Sequence, residues 1–182
     1  MRLDPIYKAM TIARLAHQGQ TDMAGKPYFE HCERVADNLV RWFMGGADGE
    51  ERSLQFMQDC IAVAFLHDVV EDTDWTLGDI DRLGGFNADV IAGVNAMTQR
   101  WFADGRGVYP YTKNIGGALV REPLEDYWQR VKDNPIARIV KVHGDIPDNN
   151  DPDRKAYLPQ KRQNKLTDKY ARALEFLGDT NG

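Results

Sequence analysis

Apolar residues recur every three or four positions along most of the chain, and no useful stretch alternates with period two. A helix turns once in about 3.6 residues, so such spacing gathers an apolar stripe on one face, whereas a half-buried strand needs strict alternation. The pattern therefore predicts an all-α protein, a bundle of seven or eight helices. At 182 residues the chain can bury one sizeable core but not two comfortable ones, which implies a single domain over residues 1–182.

Local signals place the helices. Asp4 before Pro5 is a cap followed by a first-turn proline, and Ile6, Met10, Ala13 and His17 follow at helical spacing to a stop near Gly19. A second helix from Tyr28 carries His31, Val35, Leu39 and Trp42 and ends at Gly45-Gly46. A third runs from about Ser53 through Phe56, Cys60, Val63 and His67 to Asp72. Thr76 and Asp79 form a capping box for a short helix to Leu83, and Asn87 caps another bearing Val90, Val94 and Met97. Past Thr98 the stretch "RWFADGRGVYPYTKNIGG" has no period and reads as a long loop, a class of loop that often serves as a lid. Helices resume over Pro123–Asp133, Pro135–Val142 and Lys161–Leu177, while "HGDIPDNNDPD" is too rich in Pro, Asp and Asn for a regular helix throughout.

With 23 Lys+Arg against 28 Asp+Glu the chain has no basic field for a long nucleic acid, although a small phosphorylated ligand is compatible with local positive charge. Cys32 and Cys60 make neither a CxxC pair nor a disulfide framework, which points to a reducing, cytoplasmic setting. The N-terminus lacks the apolar core of a signal peptide, and the run Ile61–Leu66 is too short to span a bilayer, so no membrane is implied. Oligomerisation is left open.

The run "FLHDVVEDT", residues 65–73, concentrates charge where a core helix is expected. On a continuous helix His67 stacks on Glu71 and Asp68 on Asp72, so all four project to nearly one side. That arrangement suits a divalent metal on His67 and Asp68, with two carboxylates a turn away to work on water held by the metal. The plain alternative is the solvated face of an ordinary helix.

Two further segments, "AHQGQTDMAGKPYFEHCERVA" at 16–36 and "NPIARIVKVHGDIPDNN" at 134–150, join "HDVVEDT" and "TLGDI" in order and spacing. Together they resemble the HD-domain hydrolases of the SpoT/RelA type, which remove the 3′-pyrophosphate of ppGpp and pppGpp, over residues 10 to 177. The resemblance implies one metal ion, usually manganese, held by His31, His67, Asp68 and Asp145, with Glu71 and Asp72 as the acid/base pair. It implies a small phosphorylated nucleotide as substrate, with Asn149, Lys141, Lys165 and Tyr170 near it. Because the chain ends at Gly182, the synthetase domain of long relatives is not expected.

Two departures stand out. Asp22 and Met23 occupy the place where relatives often carry Arg-Lys, which weakens the guanosine assignment and keeps an adenosine alarmone or NADPH as alternatives. The Val140-to-Asp145 stretch holds one residue more than the family's Val-Lys-Leu-Ala-Asp, and alignment rests on the Asp145-to-Asn149 spacing. A catalytically inactive nucleotide-binding module is a third reading. The complete set of acid, base and ligand residues argues against it.

Overall fold

The computed structural model describes residues 4–46, 49, 51–103, 107–109 and 119–178. Helix α1 (Pro5–Ala16) starts where Asp4 accepts a 2.8 Å hydrogen bond from the Ile6 amide, and α2 (Phe29–Gly45) ends at Gly46 in the left-handed region, φ 57°. Helix α3 (Leu54–Leu66) is capped by Ser53, and the single turn α4 (Val69–Asp72) continues it after a break at His67-Asp68. The capping box of Thr76 and Asp79 opens α5 (Leu77–Gly84), and Asn87 caps α6 (Ala88–Met97), both as the sequence predicts.

In place of an unstructured loop after Thr98, three short strands pair antiparallel: β1 (Trp101–Ala103) lies between β2 (Gly107–Tyr109) and β3 (Leu119–Arg121). Three-residue strands are below the length at which alternation can be read. Residues 104–106 and 110–118, much of the expected lid, lie outside the described residues. The chain returns through α7 (Leu124–Asp133), then α8 (Pro135–Ile139), a π-helical turn (Val140–Asp145) and α9 (Ile146–Asn150) in direct succession. A one-turn α10 (Pro152–Lys155) leads into α11 (Gln160–Leu177).

Helix α3 is the axis of this bundle. Its Cys60, Ala62, Val63, Ala64, Phe65 and Leu66 are all buried, as a helix apolar on every side must be, and it packs against α1, α2, α6, α8 and the π turn. Close approach of α6 requires Gly93, where an added Cβ would meet Val63 Cγ2 at 2.8 Å. Phe29 stacks on Phe65 at 6.1 Å between ring centroids, fixing the start of α2 against the end of α3. The consequence is positional: α2, the end of α3 and the π turn meet at one point.

Candidate metal centre

The break after Leu66 sets the site. Asp68 leaves regular helical geometry at φ −98°, ψ −6°, so the His67-to-Asp72 run does not form the single continuous helical face that its spacing predicts. His67 turns into the core. Its Nδ1 donates to the Ala64 carbonyl at 2.7 Å, since a carbonyl can only accept, and this leaves the Nε2 lone pair pointing away from the helix. That Nε2 is buried and has no hydrogen-bond partner.

His31 enters from the first turn of α2, three residues into the helix. Its Nδ1 lies 2.6 Å from Asp148 Oδ2, and Nε2 faces the same point as that of His67. Asp68 Oδ2 is 3.3 Å from His31 Nε2 and 3.1 Å from His67 Nε2; Asp145 Oδ1 is 3.5 and 3.6 Å from the same two atoms. Ligand atoms of His31, His67 and Asp145 lie within 4.8 Å of one another, a group that could hold a metal ion. Two imidazoles and two carboxylates form the mixed nitrogen and oxygen shell that first-row divalent ions take. An orphaned ligand atom in a buried site fits that donor set.

The charges agree. Burial opposes protonation of His67, yet the carboxylates of Asp68 and Asp145 outweigh it and push the pKa up to about 10. Burial likewise raises Asp68 and Asp145, but the charge of His67 beside Asp68 and of Lys141 beside Asp145, with both imidazoles close by, holds them well below the usual carboxylate range. Such a pocket of buried anions needs positive charge at its centre, from protons or from a cation.

Each ligand is held from behind, as metal-binding groups generally are. Asp148, buried and not recognised from sequence, fixes the His31 ring and is itself bound by Arg34 Nε at 2.7 Å and by Arg154. Lys141 donates to Asp145 Oδ2 at 2.6 Å and Asn149 to Asp145 Oδ1 at 2.5 Å. The π-helical turn accounts for the extra residue before Asp145. A π turn takes in one residue more per hydrogen-bonded ring than an α turn, so Asp145 still faces the histidines. Gly144 permits it, because a Cβ there would lie 2.9 Å from Val35 Cγ1 and 3.1 Å from the Val35 carbonyl. His143 points elsewhere and stacks on Trp42 at 4.1 Å.

The two remaining carboxylates diverge. Asp72 accepts from the Tyr28 hydroxyl at 3.1 Å and lines a cleft of about 570 Å³ that opens beside His31. Glu71 turns toward the small sheet, where it accepts from the Gln99 amide at 2.9 Å and from Arg121. Burial raises the Glu71 pKa, and the charge of Asp68 adds to it. Gln99 is in turn fixed to the Glu122 carbonyl at 2.7 Å, and Glu122 pairs with Arg130.

Of the four residues expected near substrate, Asn149 lines the cleft. Lys141 and Tyr170 are buried, the lysine against Asp145 and the tyrosine in the apolar core, and Lys165 is an exposed side chain of α11. Asp22, standing where an arginine was expected, closes its own loop by accepting from the Ala24 amide at 2.9 Å and the Lys26 amide at 3.0 Å. A guanidinium arrives from the opposite wall instead, with Arg154 Nη2 3.7 Å from Asp22 Oδ2. Tyr28, Asp148 and Arg154 carried one sequence signal, their nearness in register to His31 and Asp145.

No family model matches the chain. Over 100 residues, 54% of this chain, it is 35% identical to the bifunctional (p)ppGpp synthase/hydrolase SpoT of Escherichia coli strain K12. Over 104 residues, 57% of this chain, it is 30% identical to the guanosine-3′,5′-bis(diphosphate) 3′-pyrophosphohydrolase of Vibrio cholerae. These matches span only 12% and 13% of the two relatives' lengths. A solved structure of a metazoan SpoT ortholog, described as hydrolysing ppGpp and acting in starvation responses, superposes with a TM-score of 0.65 at 21% identity, covering 98% of this chain and 88% of that one. Over about half its length the chain is similar in sequence to SpoT-type proteins, and over nearly all of it its fold is that of the metazoan SpoT ortholog.

Proposed function

We propose that this domain, over residues 1–182, hydrolyses the 3′-diphosphate of a guanosine alarmone, converting ppGpp and water to GDP and pyrophosphate. The observation that carries the reading is the convergence of His31, His67, Asp68 and Asp145 on one buried point beside a nucleotide-sized cleft lined by Asp72, with Glu71 near enough to feel the charge of Asp68. Those four residues would hold a divalent ion, manganese by resemblance, which would make a nearby water more acidic and screen phosphate charge. Glu71, its pKa raised by burial and by the charge of Asp68, takes the proton from the attacking water. Asp72, on the cleft wall, orients that water and faces the phosphorus under attack. Arg34 and Arg154 place positive charge on the same wall for the remaining phosphates, and Asn149 keeps Asp145 in position. A cytoplasmic setting and a small nucleotide partner follow from this reading. Among the described residues no helix is long and apolar enough to cross a membrane.

Product analysis tests it. Chelator-stripped protein incubated with ppGpp is expected to release pyrophosphate and GDP only when manganese is restored. Absence of turnover in protein that demonstrably binds manganese overturns the substrate. A second reading, a different phosphorylated nucleotide, is favoured by one observation: Asp22 is committed to closing its own loop and offers a nucleobase no cation. Release of orthophosphate from NADPH, or of pyrophosphate from an adenosine alarmone, is the result that selects it.

A further inference from the structure

A single hydroxyl joins the ligand half of the site to its acid/base half, and the chemistry proposed above makes no use of it. Tyr28 Oη lies 2.7 Å from Asp68 Oδ2 and 3.1 Å from Asp72 Oδ2. The Asp68 oxygen is the same one that approaches both histidine Nε2 atoms. The ring is fixed on two sides, lying 4.8 Å from the His17 ring and 5.6 Å edge-on from the His31 ring. Burial and the charges of Asp68 and Asp72 push the phenol pKa up, so the group remains a donor.

We propose that Tyr28 is a positioning residue that couples metal loading to the setting of Asp72. A phenol has one proton for two carboxylates. Without a metal, Asp68 Oδ2 is the nearer acceptor. When a cation draws on that oxygen it becomes a poorer acceptor, and the proton passes to Asp72, which is then held against the cleft wall in the geometry that turnover needs. Tyr28 thus occupies Asp68 until the metal arrives and directs Asp72 once the metal is present. The inference rests on the metal-centre reading but not on the identity of the nucleotide.

Tyr28→Phe retains the ring and both ring contacts while deleting the hydroxyl, and equal melting temperatures of the metal-free proteins check that the fold is kept. Manganese titration by calorimetry is expected to show binding tightened about two- to tenfold, because the variant lacks a hydrogen bond on Asp68 that the metal must weaken. At saturating manganese, kcat is expected to fall at least tenfold with KM within twofold. Because the two residues act as a unit, combining Tyr28→Phe with Asp72→Asn is expected to lose no more than the larger single loss. Unchanged manganese affinity, unchanged kcat, or additive losses each overturn the coupling. Wild-type protein that binds no divalent ion overturns the metal centre itself, a failure distinct from wild type and variant binding equally. Should the variant not fold, zinc titration of wild-type protein carrying ring-labelled tyrosine gives the same test by NMR. A tyrosine resonance is expected to shift on zinc binding, and no shift in any of the seven tyrosines overturns the proposal.

Discussion

Glu71 and Asp72 are neighbours in sequence with the same chemistry available to them, and their different surroundings suit them to the different tasks proposed for them. Glu71 is desolvated beside Asp68 and faces Arg121, Asp72, Lys169 and Tyr127, with burial the largest influence and the Arg121 charge opposing it. A base must be ionised to accept a proton, so the acid limb of the rate profile is expected above the ordinary glutamate range of about 4.3. Arg121→Gln removes a charge that lowers this pKa, and the limb is expected to move to still higher pH in a kcat-versus-pH profile. The sign for stability is the opposite of the usual carboxylate. A pKa raised in the folded state means that the folded chain binds more protons than the unfolded one, so stability falls as pH rises through that window. Glu71→Gln removes the penalty. It is expected to lose at least 100-fold in turnover while melting no lower than wild type at neutral pH in the metal-free state, with manganese binding retained.

Among the elements, the π-helical turn is the one with the least freedom. Gly144→Ala places a methyl against Val35 and Leu39, at 2.9 Å from the Val35 Cγ1 and 3.3 Å from Leu39, so the turn or α2 must shift. Overpacking of this kind typically costs about 1–3 kcal/mol, readable by urea denaturation. Since Asp145 belongs to the same turn and His31 to the opposing helix, manganese affinity is expected to fall with it. Gly93→Ala is the comparison: it crowds Val63 and Ile136 between α3, α6 and α8, away from the ligands, and is expected to lose stability with metal affinity nearly unchanged. The helices themselves were legible because a 3.6-residue period, Asp4, Asn87 and the Thr76–Asp79 box are local signals. Strands β1 to β3 were not, since each is too short to alternate and is stabilised by partners up to twenty residues away.

At the scale of the molecule the proposed metal site would act as a staple. Its candidate ligands come from α2, from the end of α3 and from the π turn, so a bound ion would tie segments more than a hundred residues apart in the chain. A ligand that binds only the folded state stabilises it by about 2.7 kcal/mol at a hundred times its Kd. Melting temperature is therefore expected to rise with manganese and to return to the metal-free value on chelation, and a melting curve indifferent to metal contradicts the staple. The sequence by itself determined the helical class, most helix boundaries and the His67, Asp68, Glu71, Asp72 group, because periodicity, caps and a dense local motif are properties of neighbouring residues. Resemblance extended this to His31 and Asp145. The tertiary structure alone decided that the HD helix breaks at Asp68, that Asp148 and Tyr28 brace the site, that Arg154 enters from the far wall, and that a π turn restores the register of Asp145. Each of these depends on contacts between residues far apart in sequence, where spacing along the chain no longer constrains distance in space.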